Sequence, residues 1–359
     1  MGKIKYYLLF LIVACFSCEE VYHADIDNVE PILVIEALVT NDADESFVRV
    51  SKTKGFYEEE AQEKVVGASI ELIDEDGQTY TGVESGTGSF KFMQTPIIGK
   101  KYKLIVTAEN ETYESDFEEM PPVPSFDSLY VHAEEITEYT YSSYGEPIAH
   151  VISGMRAYVD LPISDELSHY RFSISKTLEY IVPPLPLMPT PPTTYGWTNF
   201  REDGVFNIKG PAKYGSESIL KKHSLVFSTN RINSFVTEDQ LELNAYMVGW
   251  MVHMKEYGIS EKAYNFYEAM NDQLEADGKL FDAIYAQLET NIHCVSNPEK
   301  VVVGFFELSS YEFTRFFMMS SFGSVTSHVH MVNEIHVIPP SDTIEAFKPP
   351  IFWEDRYSN

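Results

Sequence analysis

Between Ile32 and Val106 apolar residues recur at every second position in short runs, and no helical period appears before Pro121. That pattern confines the first third of the chain to β-structure. Ile32-Leu33-Val34-Ile35 reads as a buried strand and Phe47 to Ser51 as the next. In Val66-Gly67-Ala68-Ser69-Ile70-Glu71-Leu72-Ile73, the side chains of Ala68, Ile70 and Leu72 share one face. Asp76-Gly77 is a hairpin signal, because both residues tolerate positive φ. Gly88 to Phe92 and Tyr102 to Val106 complete the series, which predicts a small antiparallel sandwich. Asp74-Glu75-Asp76-Gly77 also looks like half a calcium loop. It lacks the remaining ligands and the closing glutamate, so the turn reading is preferred.

Pro121-Pro122-Val123-Pro124 interrupts the alternation as a stiff, extended spacer, and marks the domain boundary. Beyond it, Leu129-Tyr130-Val131 opens a second unit, followed by a predicted loop of tyrosines and acids from Glu134 to Glu146. Met155 to Leu161 and Tyr170 to Lys176 read as strands. Leu241 to Met254 is apolar on both alternating faces, which predicts a central strand covered on both sides. Ser260 is placed to cap a helix in which Ala263, Phe266, Tyr267, Met270 and Leu274 recur at helical spacing, with Asp277-Gly278 ending it. A second short helix is expected over Phe281 to Leu288. Val301 to Phe306, Tyr311 to Met319 and His328 to Ile338 are the last predicted strands, the first of them a neighbour of the central one. The expected fold is therefore mainly β. It has two antiparallel β-sandwich domains of immunoglobulin-like or transthyretin-like type, residues 31–122 and 125–359, the second carrying an inserted α-helical segment at about 260–289.

The start of the chain carries a different message. Lys3 and Lys5 precede an apolar run from Tyr6 to Phe16, too short to span a bilayer, and Ser17-Cys18-Glu19-Glu20 follows. Residues 1–17 read as a lipoprotein signal peptide and 18–30 as an acidic tether. Cys18 is the preferred acylation site. Cys15 is the alternative, since Ile12-Val13-Ala14-Cys15 fits the general lipobox better while Cys18 is followed by acids, and an ordinary cleaved signal with incidental cysteines is the third reading. Stable attachment takes more than one acyl chain, and the rest of the chain would then stand as a tethered ectodomain. Removing residues 1–17, with two lysines and no acid, takes the net charge from −29 to −31. Such a surface repels nucleic acid and anionic lipid. Only Cys294 then remains, so no internal disulfide is expected.

Chemistry-bearing motifs are sparse. There is no nucleophile elbow, no glycine-rich phosphate loop and no zinc-protease helix motif, so no enzyme activity and no cofactor are expected; a surface hydrolase is an outlying alternative. His328 and His330 share one face of a predicted strand, with His336 farther on, and form the candidate metal set. Met318, Met319 and Met331 nearby would suit copper better than zinc, while the bland alternative places these histidines on a solvated edge strand. His293-Cys294 reads as a buried thiol beside a capping imidazole. Pro183 to Pro192 carries six prolines, followed by Tyr195 and Trp197. Such a stretch favours polyproline II and cannot lie within a sheet. Exposed Leu185, Leu187, Met188, Tyr195 and Trp197 would form a partner-contact surface; the alternative is a loop packed on its own domain.

Two resemblances add to this reading. Gly67-Ala68-x-Ile70, Asp76-Gly77, Gly88-x-Phe90 and Tyr102-x-Leu104-x-Val106 resemble carboxypeptidase-regulatory-like, transthyretin-type β-modules, which are structural or adhesive. A longer set covers most of the chain. It comprises Ile32 to Glu36, Ser260-Glu261-Lys262-Ala263-Tyr264-Asn265-Phe266-Tyr267, Gly278 to Asp282, Asn291-Ile292, Asn297-Pro298, Val303 to Phe306 and Lys348 to Trp353. This set resembles a Bacteroidota lipoprotein family catalogued as domain of unknown function 4249. Members often carry extra cysteines before the tail, where this chain has Pro339 to Lys348. The resemblance implies no catalytic residues. It implies a lipid-anchored protein on the outer membrane, facing the cell exterior, with a TonB-dependent outer-membrane receptor as partner in nutrient uptake.

Overall fold

The computed structural model describes residues 31–54, 63–182, 194–201, 204–212, 215, 217–229, 246–276, 288–319 and 329–332. The first strands follow the alternation. β1 (Leu33–Thr40) runs antiparallel to β2 (Phe47–Lys52), and β6 (Ser89–Lys91) and β5 (Val83–Gly86) extend that sheet. A facing sheet is built from β4 (Thr79–Thr81), β3 (Ser69–Asp74), β7 (Lys101–Ala108) and β8 (Glu111–Ser115), with β9 (Glu118–Glu119) beside β7. Ile35, Val39, Val48 and Val50 from one sheet and Ile70, Leu72, Leu104 and Val106 from the other make a shared buried core. The Asp76-Gly77 turn forms as predicted, with Gly77 at φ +83°. Asp74 Oδ1 accepts the N–H groups of Asp76 at 3.0 Å and Gln78 at 2.8 Å, and its Oδ2 meets Lys100 Nζ at 2.6 Å. Lys100 first, and these backbone donors with it, hold the Asp74 carboxyl below its usual range. The acidic turn is thus a closed structural motif.

This first sandwich is not made by the N-terminal third alone. β17 (Ile292–Cys294) pairs with β8, and the first half of β18 (Val302–Met319) lies parallel to β1 from Leu33–Val302 to Thr40–Ser309. Ile292, Cys294, Val302, Phe306 and Leu308 belong to the first core, and Cys294 is a buried free thiol. His293, between them, is exposed. The two strands expected at Val301 to Phe306 and Tyr311 to Met319 are one strand of 18 residues. Nothing between them forces a turn: Ser309 and Ser310 are small, buried and compatible with extended backbone. Ser310 Oγ donates to the Pro122 carbonyl, which fixes the proline spacer against the middle of the strand. At Gly304 (φ +115°) a Cβ would sit 1.9 Å from the Ile35 carbonyl oxygen, so the parallel pairing requires glycine there.

The second half of β18 enters the second sandwich. There β13 (Thr194–Arg201), β12 (His169–Val182), β16 (Tyr246–Ile259) and β18 lie side by side, so one ten-stranded sheet runs through both sandwiches. β14 (Asn207–Lys209) pairs with β12, and β19 (Val329–Val332) pairs with β18. As predicted, β16 is a central strand, but the neighbour expected for it, Val301 to Phe306, lies beside β1 instead. β18 pairs with β16 only over Ser310 to Met319, because the strand runs on past Phe306 into the second sandwich. The facing sheet has three strands, β10 (Ser128–Tyr141), β11 (Pro147–Pro162) and β15 (Ile219–Thr229). Met155, Ala157, Val159 and Leu161 from this sheet meet Phe172, Ile174, Trp250, Val252 and Phe316 from the other. The architecture is therefore the expected mainly antiparallel β-sandwich arrangement, with one parallel junction. The stretch from Glu134 to Glu146, expected as a loop, is instead mostly strand. Ile136, Thr137, Tyr139, Thr140 and Tyr141 favour strands, and Gly145 (φ +80°) makes the turn.

Among the described residues one helix, α1 (Glu261–Glu275), crosses the outer face of the long sheet where the sandwiches join. Ser260 caps it as predicted: its Oγ accepts the Ala263 N–H at 3.2 Å. Ala263 packs with Tyr257, Ile259 and Phe305, and Phe266 stacks on Phe305 at 4.5 Å between ring centroids. Leu274 is exposed, so the packed face ends a turn earlier than its spacing predicted. Residues 277–287, which include Asp277-Gly278 and nearly all of the expected second helix, lie outside the described residues. Ser260→Ala should cost about 1 kcal/mol of stability in urea unfolding, by orphaning a backbone donor of the first turn. An unchanged midpoint would show that packing alone sets this end.

Candidate binding surface

The sheet order places the ends of the long strands of the second sandwich at two poles. The proximal pole joins the first sandwich. At the distal pole lie the ends of β12, β15 and β18, the starts of β13 and β16, and the β10–β11 turn. β15 stops at Thr229, opposite Gly154, while β10 and β11 continue pairing to Tyr141–Pro147. Residues 135–153 therefore project as a two-stranded ribbon, reaching about 20 Å past the sheet at the usual strand rise. Tyr139 (64%), Tyr141 (74%), Tyr144 (92%), Ile148 and Val151 are exposed on it.

Several of the candidate residues lie outside the described residues: Cys15, Cys18, Leu185, Leu187, Met188, His328 and His336. Tyr195 and Trp197 are in a strand, not on a proline-rich loop. Tyr195 pairs with Ile181, and Trp197 is 6% exposed, which removes its indole from any contact surface. The physical reason is that prolines cease at Pro192, and Thr194 to Arg201 then supplies β-branched and aromatic residues that pair with β12. His330 lies in β19, opposite Phe317, within the strand expected for it. β13 and β19 flank β12, β16 and β18 on opposite sides, so Tyr195 and His330 are separated by about 19 Å of sheet. The structure does not bring the two candidate sets together. Among the described residues no group of three His, Cys, Asp or Glu side chains is placed to hold a metal ion.

Sequence reasoning missed three features. Under α1, Arg171 on β12 donates from Nη2 to Glu307 Oε1 on β18 at 2.7 Å, and Tyr267 on α1 donates to Glu307 Oε2. The guanidinium lies 4.0 Å from the Tyr257 ring centroid and 5.0 Å from that of Tyr267. Burial opposes the charge on Arg171, but Glu307 and the two tyrosines outweigh it, and its pKa is raised. Burial, then Glu307, pushes Tyr267 far above its ordinary range. A permanent cation, its carboxylate and a neutral phenol make a structural latch with no group poised for proton transfer. The partners are 136 residues apart, and no local pattern announces them.

His223 and His253 are likewise held neutral. Burial, then Lys209, pulls His223 down to about 4; burial, then Arg315, does the same to His253. His223 Nε2 lies 2.6 Å from Asn207 Oδ1, and His253 Nε2 lies 3.2 Å from Thr177 Oγ1. Glu256 is the third unforeseen group. It continues the inward row Trp250, Val252, Met254 on β16, is 1% exposed, and neither carboxyl oxygen has a hydrogen-bond partner among the described residues. Parity along the strand was the available signal, since the predicted strand stopped at Met254. The ribbon likewise announced itself in the matching β-branched runs around Gly145.

No curated protein and no solved structure shows detectable similarity to the chain. The profile of one family, "Domain of unknown function (DUF4249)", matches residues 19–315. That match covers residues 19–315 of the 359, including α1 and most strands of both sandwiches, so the chain belongs to the DUF4249 family.

Proposed function

We propose that this protein is a surface-exposed outer-membrane lipoprotein that works by binding, as an accessory of a TonB-dependent nutrient uptake system. The observation that carries the reading is the start of the chain. A basic n-region, a short apolar run and Ser17-Cys18-Glu19-Glu20 lead into an acidic stretch and then directly into the first strand at Leu33. The cysteine followed by acids is the pattern of Bacteroidota surface export. Two further observations favour binding over catalysis. The buried cation Arg171 is committed to an internal latch, and the half-buried histidines His223 and His253 stay neutral down to about pH 4. Conversely, the exposed aromatic side chains of the ribbon are of the kind enriched in interface cores. A lipid tether would confine such a surface to the membrane plane and raise its effective concentration near an integral partner.

Mass spectrometry of the mature N-terminus is the direct test. Lipid on Cys18 is expected, and Cys18→Ala should release the protein from the membrane fraction. Acylation of Cys15, or an unmodified N-terminus farther along, overturns the assignment of Cys18. Co-purification from detergent-solubilised outer membrane should recover a TonB-dependent receptor in near-stoichiometric amount; recovery of the protein alone under mild detergent refutes the accessory role.

A further inference from the structure

Among the described residues the ribbon formed by β10 and β11 has an unpaired edge as well as exposed rings, and the edge has a chemical character. β10 pairs with β11 and with no other strand among the described residues, so all 14 of its residues lie at a sheet edge. At the mouth of the turn the Ser142 N–H donates to the Glu146 carbonyl. Antiparallel pairing then alternates, and Thr140–Ile148, Glu138–His150 and Ile136–Ile152 are the hydrogen-bonded pairs. The residues between them, Glu135, Thr137, Tyr139 and Tyr141, turn their N–H and C=O groups away from β11. Pro147 opposite Tyr141 agrees with this, since a proline has no N–H to offer at that pair. Natural edges are usually blunted by lysine, proline or a bulge. β10 contains no lysine, arginine or proline, and its register with β11 is unbroken.

The charge around this edge is of one sign. No lysine or arginine occurs from Ser128 to Met155. Glu134 is engaged by Arg156 Nε at 2.9 Å and by the Tyr158 hydroxyl, but Glu135, Glu138 and Glu146 are exposed. By strand parity Glu135 and Glu138 lie on opposite faces, so an added strand would meet a carboxylate above and below. Tyr139 and Tyr141 stand on the same face as Glu135. Their rings suit the alkyl stems and ammonium groups of lysines.

We propose that the outward edge of β10, from Glu135 to Tyr141, binds an extended, lysine- or arginine-bearing segment of another protein by strand addition. Backbone hydrogen bonds supply the register, and the carboxylates and tyrosines select a cationic strand. A second copy of this chain is the poorer occupant: pairing two such edges would gather Glu135 and Glu138 of both molecules into one strip, with no lysine or arginine between Ser128 and Met155 to offset them. The inference does not need the lipid anchor or the transporter, and stands or falls separately from them.

The test uses the full-length chain and a fluorescent peptide alternating lysine with valine. Controls are the same composition interrupted by prolines and a glutamate-for-lysine version. Anisotropy should show the alternating peptide binding at least about tenfold more tightly than either control. Amide exchange should slow at Glu135, Thr137, Tyr139 and Tyr141. Thr137→Pro removes an outward donor without cutting the ribbon, and Glu138→Lys reverses one charge with no risk to the fold; each should weaken binding at least about fivefold. Equal affinity for the proline-interrupted peptide reduces the effect to unspecific charge attraction and overturns the proposal. So does a concentration-dependent dimer abolished by Thr137→Pro, which would make a second copy the occupant. Amides of 135–141 already protected in the free protein would also overturn it, since the chain would then cover its own edge.

Discussion

Glu256→Gln should stabilise the protein at pH 7 by about 3 kcal/mol and leave its stability at pH 4.5 nearly unchanged. Glu256 faces the core of the second sandwich, flanked across the sheet by Phe172 on β12 and by the exposed Glu312 on β18. Tyr170, close by, already donates its hydroxyl to the Pro162 carbonyl at 2.5 Å. Burial first, and the Glu312 charge second, push the Glu256 carboxyl up from 4.5 to about 8. Below pH 4.5 the group is protonated whether the chain is folded or not, and it exerts no pH-dependent pull. As pH rises from 4.5 towards 8 the unfolded chain releases the proton while the folded chain keeps it. Stability therefore falls through that window, by about 1.4 kcal/mol per pH unit at most, and the loss is complete above pH 8.

Other carboxyls act in the opposite direction. Lys100 lowers Asp74, the Tyr158 hydroxyl lowers Glu134, and the Lys222 N–H lowers Asp160, so their stabilisation is lost as pH falls below the ordinary carboxylate range. These contributions are common to both proteins. The informative quantity is the difference between Glu256→Gln and the unsubstituted chain, measured by urea unfolding from pH 4.5 to 8.5. A difference that grows with pH and levels near 8 is expected. A constant difference would mean that water or an undescribed segment satisfies the carboxylate. Glu312→Gln should shift the window slightly downward by removing the neighbouring charge.

Local regularities carried the fold a long way. Alternation placed β1, β3 and β7. Asp76-Gly77 placed a turn, Ser260 a helix start, and the doubly apolar run before Met254 a central strand. Each depends on residues close in sequence, so each is written in the local pattern. Long-range pairing is not. β1 lies beside a strand nearly 270 residues away, and only the side chains at that contact, such as Gly304 against the Ile35 carbonyl, specify it. The sequence reading lists Val301 to Phe306 and Tyr311 to Met319 as separate strands, whereas in the structure Ser309 and Ser310 lie within one strand and mark the passage between sandwiches. The projecting surface escaped the sequence reading for a related reason. Proline density advertised the segment before Thr194, while the two-stranded ribbon, built from ordinary strand residues, was taken for a loop. Its exposure follows from where β15 stops, which no feature of β10 or β11 records.

Removing the Glu307 carboxylate should be among the most damaging single changes, at about 3–5 kcal/mol for Glu307→Ala. Arg171 is 8% exposed and Glu307 2% exposed, so the guanidinium left behind would keep its charge without a counter-ion or access to water. Arg171 Nε already has no hydrogen-bond partner among the described residues, and the latch has no spare acceptor to offer. The pair also has a topological role. Arg171 belongs to the second sandwich, Glu307 to the part of β18 paired with β1, and Tyr267 to α1, so three elements meet on one carboxylate. Arg171→Met should cost somewhat less, because Glu307 keeps its bond from Tyr267 and the methionine fills much of the guanidinium's volume. Tyr267→Phe should cost about 1.5–3 kcal/mol, as the loss of one bond to a charged group. A double variant, Arg171→Met with Glu307→Leu, removes both charges and replaces them with apolar volume. It should recover most of the loss and lie within about 1–2 kcal/mol of the starting protein. Urea unfolding of the starting protein, Arg171→Met, Glu307→Leu and the double variant closes the cycle. If the double variant is as unstable as the sum of the singles, the pair is uncoupled and the losses come from packing. If Glu307→Ala costs less than about 1 kcal/mol, the guanidinium must find another partner, and the latch does not hold the two sandwiches and the helix together.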